Sequence, residues 1–421
     1  VTPSDIPALL ARIAAEDGAI GSFWQVDREG ALAATPAGRG PLVGVAIGIK
    51  DNVDVAGLRT TAGIAAFRHR VADRDAPVVR RLREAGLVIL GKLAMHEGAL
   101  GATTDTPGFG RCMNPLRAGY TPGGSSGGSG AAVAAGLVPL AVGTDTMGSV
   151  RLPAAYCGVF GLKPTSGLVG RSGVVALSPR LDHVGILAAS IEGAALGLEA
   201  MAGDDPDDPD SRPTPPGWRA LPAAPADPRG LRIGLPEPVL AAPMEPAIRA
   251  AWEAAQARLR EAGAILSPVP VAGWDLTATR RAGLLLIEAE AAALHPALVD
   301  DPEAATPGFR AALAYGRDAK GVRIAQALFR LAEARAGALR ALDHCDLLLM
   351  PTAPQRAFPH GTPAPVDQAD FTAIANVAGL PALAFPWPAP DGDLPCSLQL
   401  MGPAYGEQAI CALAAWLLRA R

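Results

Sequence analysis

Apolar positions along this chain recur with two periods. Between Leu42 and Ile49 the residues Val43, Val45, Ile47 and Ile49 alternate with Gly44, Ala46 and Gly48, which is the period of a strand. One face is aliphatic and the other carries only glycine and alanine. Lys50 falls on the small-residue face if the strand continues, and glycine there predicts close approach of another backbone. Asp75–Ala85 has the helical period. Asp75 suits the N-cap, Pro77 the first turn, and Val78, Val79 and Leu82 share one face. Gly86 ends that helix, and Leu87–Leu90 follows as a buried strand. The junction Leu-Arg-Glu-Ala-Gly recurs at 259–263 before Ala264–Leu266, which we read as a second helix-to-strand exit and not as a repeat architecture.

The same patterns predict helices over 4–16, Pro246–Ala262, Asp370–Ala378 and Glu407–Arg419, with mostly helical sequence over 283–344. Strands are predicted at Leu231–Leu235, Leu347–Met350, Ala382–Phe385 and Ser397–Leu400. The Asp- and Pro-dense stretch 203–229 cannot continue a helix or a central strand, so it reads as a surface connection. It separates a catalytic part, about 40–200, from a more variable part, about 230–370. Strands alternating with helices indicate an α/β layered fold.

Composition narrows the function classes. The 421 residues carry a net charge of −4, which advertises no surface for nucleic acid or another polyanion. A hydrophobic content of 49% argues for a large core and against disorder. The apolar run Ala131–Val142 is broken by Gly136 and Pro139 and is too short to span a membrane. The N-terminus lacks a signal-peptide pattern. Five cysteines form no CxxC pair, so they read as reduced thiols of a cytoplasmic protein.

The chemistry concentrates in 121–155. Gly123–Gly130 is not read as a linker, because it runs straight into the apolar stretch Ala131–Leu137. It lacks the Lys-Ser/Thr of a nucleotide P-loop and the Rossmann spacing. Gly143–Ser149 is a turn able to aim successive backbone N–H groups at one point, with Ser149 placed to attack a carbonyl carbon. None of the six histidines (His69, His96, His183, His295, His344, His360) lies in a recognisable triad motif. Lys50 is the better base, since burial at a strand end disfavours its charge. The competing reading is a lysine that reaches to water and pairs with Asp51.

Taken together, Gly48–Asn52, Gly123–Ser129, Gly143–Arg151, Pro153–Ala155 and Gly161–Thr165 resemble the amidase signature family. Weaker resemblance lies at Gly91–Lys92, Met95–Glu97, Met350–Thr352 and Gly379–Ala382. The resemblance implies a single α/β/α domain over 1–421, with a long mixed central sheet flanked by helices on both faces. It implies a triad of Lys50 as base, Ser125 as bridging serine after a cis peptide from Gly124, and Ser149 as nucleophile. It assigns the oxyanion hole to the backbone N–H groups of Thr146, Met147, Gly148 and Ser149, and support of the loops to Gly124, Ser126 and Asp145. No metal or organic cofactor is expected. The implied reaction is hydrolysis of a small-molecule amide. Ureido or carbamate hydrolysis, the A-type component of an amidotransferase, and a non-catalytic scaffold are the alternatives. A homodimer is the default assembly.

Three positions bear on specificity. The family commonly carries glycine where this chain has Met147, so that side chain is expected beside the acyl pocket. Arg151 offers either a substrate contact or, the favoured reading, a structural ion pair. Leu152 stands where amidotransferase members of the family usually have glutamine, which argues against that role. Residues of 283–344 and loops near 351–370 are expected to line the pocket.

Overall fold

The computed structural model describes residues 2–38 and 40–419. Among these, eleven strands form one mixed sheet. Its order is Phe23–Val26, Val88–Leu93, Ala46–Lys50, Leu140–Asp145, His183–Ala188, Phe160–Lys163, Ala382–Trp387, Cys396–Met401, Leu347–Pro351, Arg232–Pro236 and Ile265–Val269. Ala46–Lys50 is parallel to both its neighbours. The strands from Leu140–Asp145 to Leu347–Pro351 pair antiparallel, and the last three strands are parallel again.

Alternate residues of the same strands enter different hydrophobic clusters. Ile47, Ile49, Ile89, Leu140 and Val142 join the larger one, with Val78, Val79 and Leu82 of the helix Pro77–Glu84. Ala46, Val88, Leu90 and Ala141 join a second, with Leu10 and Ile13 of the first helix and Ala132 and Val133 of the helix Gly127–Ala134. The sheet is therefore covered by helices on both faces, as parallel pairing requires.

Several boundaries differ from the sequence pattern, each for a local reason. The strand predicted from Leu42 begins at Ala46, because residues 41–44 form a turn in which Gly44 takes φ +76°. Gly48 does make room for a neighbour, but the neighbour is a side chain. A Cβ there would lie 2.5 Å from Leu93 Cδ1. Asp75 does not cap its helix; Ala76 holds that place, and the Asp75 carboxylate accepts from Ala56 N at 2.8 Å and pairs with Arg83. The first helix runs to Ile20 and stops at Gly21, φ +69°. Phe160–Lys163 and His183–Ala188 carry no clear strand signal, because strands buried on both faces show no apolar–polar alternation. Among the described residues, no helix is long and apolar enough to cross a membrane, no cluster of His, Cys, Asp and Glu could hold a metal ion, and the five cysteines are free and buried.

Candidate active site

Two parallel neighbours, Ala46–Lys50 and Leu140–Asp145, end side by side, with Ile49 opposite Val142. The carboxyl ends of such strands are where open α/β sheets place their ligands. Lys50 is fully buried there. Its Nζ donates to Ser125 Oγ at 2.8 Å and to Thr144 Oγ1 at 2.7 Å. Thr144 Oγ1 also accepts from Asn52 Nδ2 at 3.1 Å, which fixes the threonine hydroxyl as the lysine's second anchor. Burial pushes the Lys50 ammonium down to about 7, against the opposing fields of Asp182 and Asp145. The lysine does not reach water and does not pair with Asp51. That carboxylate faces Lys92 Nζ at 3.1 Å instead.

The serine-rich segment is a close-packed turn. Ser125, Ser126 and Ser129 are fully buried, and the helix starts at Gly127, earlier than the apolar pattern suggested. A Cβ on Gly128 would sit 2.4 Å from Ala94 O and 2.6 Å from Ser22 O, so only glycine lets the helix seat on that backbone. The Gly124–Ser125 peptide is cis. Ser126 Oγ donates to Thr144 O at 3.1 Å and Ser129 Oγ to Val142 O at 2.9 Å, which ties the turn to the neighbouring strand. Ser126 N donates to Ser149 O at 3.2 Å, joining the serine turn to the turn that carries Ser149.

Asp145 organises that second turn. Its carboxylate accepts from Gly148 N at 2.6 Å, Val150 N at 3.1 Å and the Arg151 guanidinium at 3.0 Å. Burial would raise this carboxyl; the Arg151 charge overrides that and holds it well below the usual range. Gly148 takes φ +135°, and a Cβ on it would lie 2.3 Å from Thr372 Oγ1. The Gly148 N–H is already given to Asp145, so of the four amides that the resemblance names for an oxyanion hole those of Thr146, Met147 and Ser149 are left. None of those three N–H groups has a partner among the described residues. Ser149 is the one partly exposed residue in the buried run Leu140–Val150, and its Oγ makes no hydrogen bond among the described residues.

Arg151 is corrected as a substrate contact. It is fully buried, opens the helix Arg151–Cys157, and reaches Thr372 O, Gln399 Oε1 and Asn376 Oδ1 besides Asp145. Met147 does not take a positive φ. It is packed beside Gly283, where a Cβ would meet its Cε and Sδ at 3.1 Å. A bulky residue on the turn is thus matched by a glycine on the helix Leu276–Leu294. Thr144 and Asn52 lie inside the family-like motifs, yet the motifs alone give them no role. Asn376 and Thr372 carry no sequence signal, since only the tertiary fold brings them to the turn.

Ser149, Thr146, Met147, Leu152 and Gly124 open on a cavity of about 150 Å³, walled further by Leu100, Leu177, Arg280, Leu284, Ile287, Val366 and Gln368. The wall residues come partly from the expected stretches, although Arg280 precedes them and Leu177 lies far upstream. No histidine or cysteine is among the residues that line this cavity. Burial lowers His96 to about 4 and His183 well below its ordinary value, and it raises all five thiols.

The chain is similar to known proteins over nearly all of its length. The family described as Amidase matches residues 6–411. The A-type component of the glutamyl-tRNA(Gln) amidotransferase of Roseiflexus sp. (strain RS-1) is 36% identical, over 96% of this chain and 90% of its own length. Its counterparts from Thermus thermophilus and Azoarcus sp. are 37% and 39% identical, covering 97% and 96% of this chain and 91% of each relative. Among solved structures, a chain from an unexpected vestigial protein complex, described as revealing the evolutionary origins of an s-triazine catabolic enzyme, aligns with TM-score 0.88 and 33% identity, covering 98% of this chain and 93% of that one. The peptide amidase of Stenotrophomonas maltophilia aligns with TM-score 0.82 and 32% identity, covering 98% and 92%.

Proposed function

This chain belongs to the amidase family, and from that premise we propose that it breaks the C–N bond of a small carboxamide by acyl transfer to Ser149. The observation that carries the reading is the 2.8 Å contact from Lys50 Nζ to Ser125 Oγ, made by a lysine whose ammonium is lowered to about 7. A neutral Lys50 takes the Ser125 proton, and Ser125 takes that of Ser149. The Ser149 Oγ–C bond forms, and the N–H groups of Thr146, Met147 and Ser149 receive the oxyanion. One such donor stabilises the transition state by about 2.7–4 kcal/mol. The proton returns to the departing nitrogen, the C–N bond breaks, and water releases the acid from the acyl-enzyme.

The ammonia is either released or handed to a partner. The names of the curated relatives support the second course. The domain reading stays with one α/β/α unit, and the buried free cysteines support a reducing compartment. The test has two arms. A fluorophosphonate should label Ser149 and not Ser125 or Ser129, and Ser149→Ala should abolish ammonia release from a panel of aliphatic, dicarboxylic and ureido amides. Full activity of Ser149→Ala refutes the mechanism. Affinity purification from the native cell, with an assay of glutamine-dependent amidation of glutamyl-tRNA, separates the amidotransferase reading from the hydrolase reading.

A further inference from the structure

We propose that Asp182 is a positioning residue for the reaction, the counter-charge to the ammonium that Lys50 becomes when it takes the Ser125 proton; this rests on the reading of Lys50 as base. As Ser149 Oγ bonds to the carbonyl carbon, its proton passes to Ser125 and the Ser125 proton to Lys50. One positive charge then appears on Nζ and one negative charge on the former carbonyl oxygen. The N–H groups of the Ser149 turn answer the negative charge. A buried anion has to answer the positive one, since Nζ bonds only to Ser125 and Thr144 among the described residues.

Asp182 stands just before the strand His183–Ala188, the antiparallel neighbour of Leu140–Asp145. Thr144 lies opposite Val184 and Asp145 opposite His183, so the register carries on to Thr146 opposite Asp182. There the Thr146 hydroxyl donates to Asp182 Oδ1 at 2.6 Å, and Leu177 N and Ser178 N donate to Oδ2 at 2.8 and 2.9 Å. Thr144, whose hydroxyl holds Lys50, walls one cleft together with Asp182.

Two carboxylates send their fields to Lys50, and they are not equivalent. Asp145 is paired with Arg151 at 3.0 Å, both fully buried, so its charge is largely cancelled at a distance. Asp182 makes no ion pair among the described residues. Arg171, whose field also reaches Asp182, is paired with Asp208 and Asp210. His96, which faces Lys50, is held at about 4 by burial, and burial also lowers His183 well below its ordinary value, so both rings are neutral near pH 7. Lys163 acts on Asp145 and His183 instead. Burial raises the Asp182 carboxyl, while its three donors favour the charged form. The ammonium formed on Lys50 during the reaction supplies the cation that this carboxylate lacks, and each charge stabilises the other.

The test is Asp182→Asn, read in the pH profile of kcat/KM and of the rate at which a fluorophosphonate labels Ser149. Asparagine fills the same space. Its oxygen accepts from Leu177 N and Ser178 N, and its nitrogen donates to a Thr146 hydroxyl turned round, so only the charge is lost. Lys50 then holds its proton less tightly, and the rising limb near pH 7 should move down by about 0.5–1 unit, less than the 1–3 units of a contact pair. The plateau should fall by about 3- to 10-fold, because a base weakened by that much loses at most that factor. Asp182→Ser, also uncharged, carries the same prediction should Asp182→Asn not fold. Thr146→Val breaks the hydroxyl contact but keeps the charge, and should lower the plateau without moving the limb. A limb that stays in place in the uncharged variants, with or without loss of rate, overturns the proposal, and so does a limb moved equally by Thr146→Val. A wild type whose labelling shows no limb near pH 7 overturns Lys50 as the base and the proposal with it, so the two failures are told apart before any variant is made.

Discussion

In the proposed mechanism Lys50 acts as a base only when neutral, and burial has already brought it to about 7. kcat/KM should therefore rise with pH through about 7 and level above it. Lys50→Arg, which stays protonated, should be inactive across the whole profile. Thr144→Val removes an acceptor that favours the charged lysine, so the rising limb should move to lower pH while kcat falls by one to two orders of magnitude, roughly the worth of one charged hydrogen bond. Met147→Gly vacates the space between the turn and Gly283 and should shift kcat/KM toward bulkier acyl groups. An unchanged profile across a broad amide panel would dismiss Met147 as a determinant. Lys50, Ser125 and Ser149 could be named from the sequence because each stands in a motif that resembles a family, and the fold sets Lys50 Nζ 2.8 Å from Ser125 Oγ. Asp182 was not legible, because an aspartate before a strand has no local mark of which distant charge it faces.

The helix Gly127–Ala134 owes its position to glycines more than to apolar residues. A Cβ on Gly128 would enter the space held by Ala94 and Ser22 main chain, which cannot yield as a flexible side chain can. Gly128→Ala should lower the melting temperature, at a cost of about 1–3 kcal/mol as for other overpacked sites, and should reduce activity by shifting Ser125. Gly148→Ala meets both an unfavourable φ and the Thr372 hydroxyl, and a thermal melt should place it below wild type by at least 1–3 kcal/mol, a rough figure for such backbone strain. Helix existence was readable from period and caps, as in Pro77–Glu84. Helix starts were less so, because Gly127 and Gly128 give no propensity signal and are helical only where the tertiary site accepts them.

At the scale of the molecule, Arg151 joins parts far apart in sequence: Asp145 on one strand, Gln399 on another, and Thr372 and Asn376 at the helix between. Removing one partner leaves a buried charge, so Asp145→Asn should cost about 3–5 kcal/mol in chemical denaturation at neutral pH. The Asp145 carboxyl is depressed when folded, against about 3.9 unfolded. Its contribution is thus present above about pH 4 and lost as pH falls below that, and the gap between wild type and Asp145→Asn should narrow over that acid range. The sequence by itself determined the α/β class, most elements and the family, and named the residues proposed to react, because periodicity, glycine placement and motif spacing are local and each is costly to maintain without cause. Only the tertiary structure decided that Arg151 faces inward, that Gly148 gives its N–H to Asp145, that Met147 rests against Gly283 and that Asp182 meets the Thr146 hydroxyl. Those facts depend on which distant side chains share a buried space, and burial, charge pairing and van der Waals fit act between neighbours in space, wherever they stand along the chain.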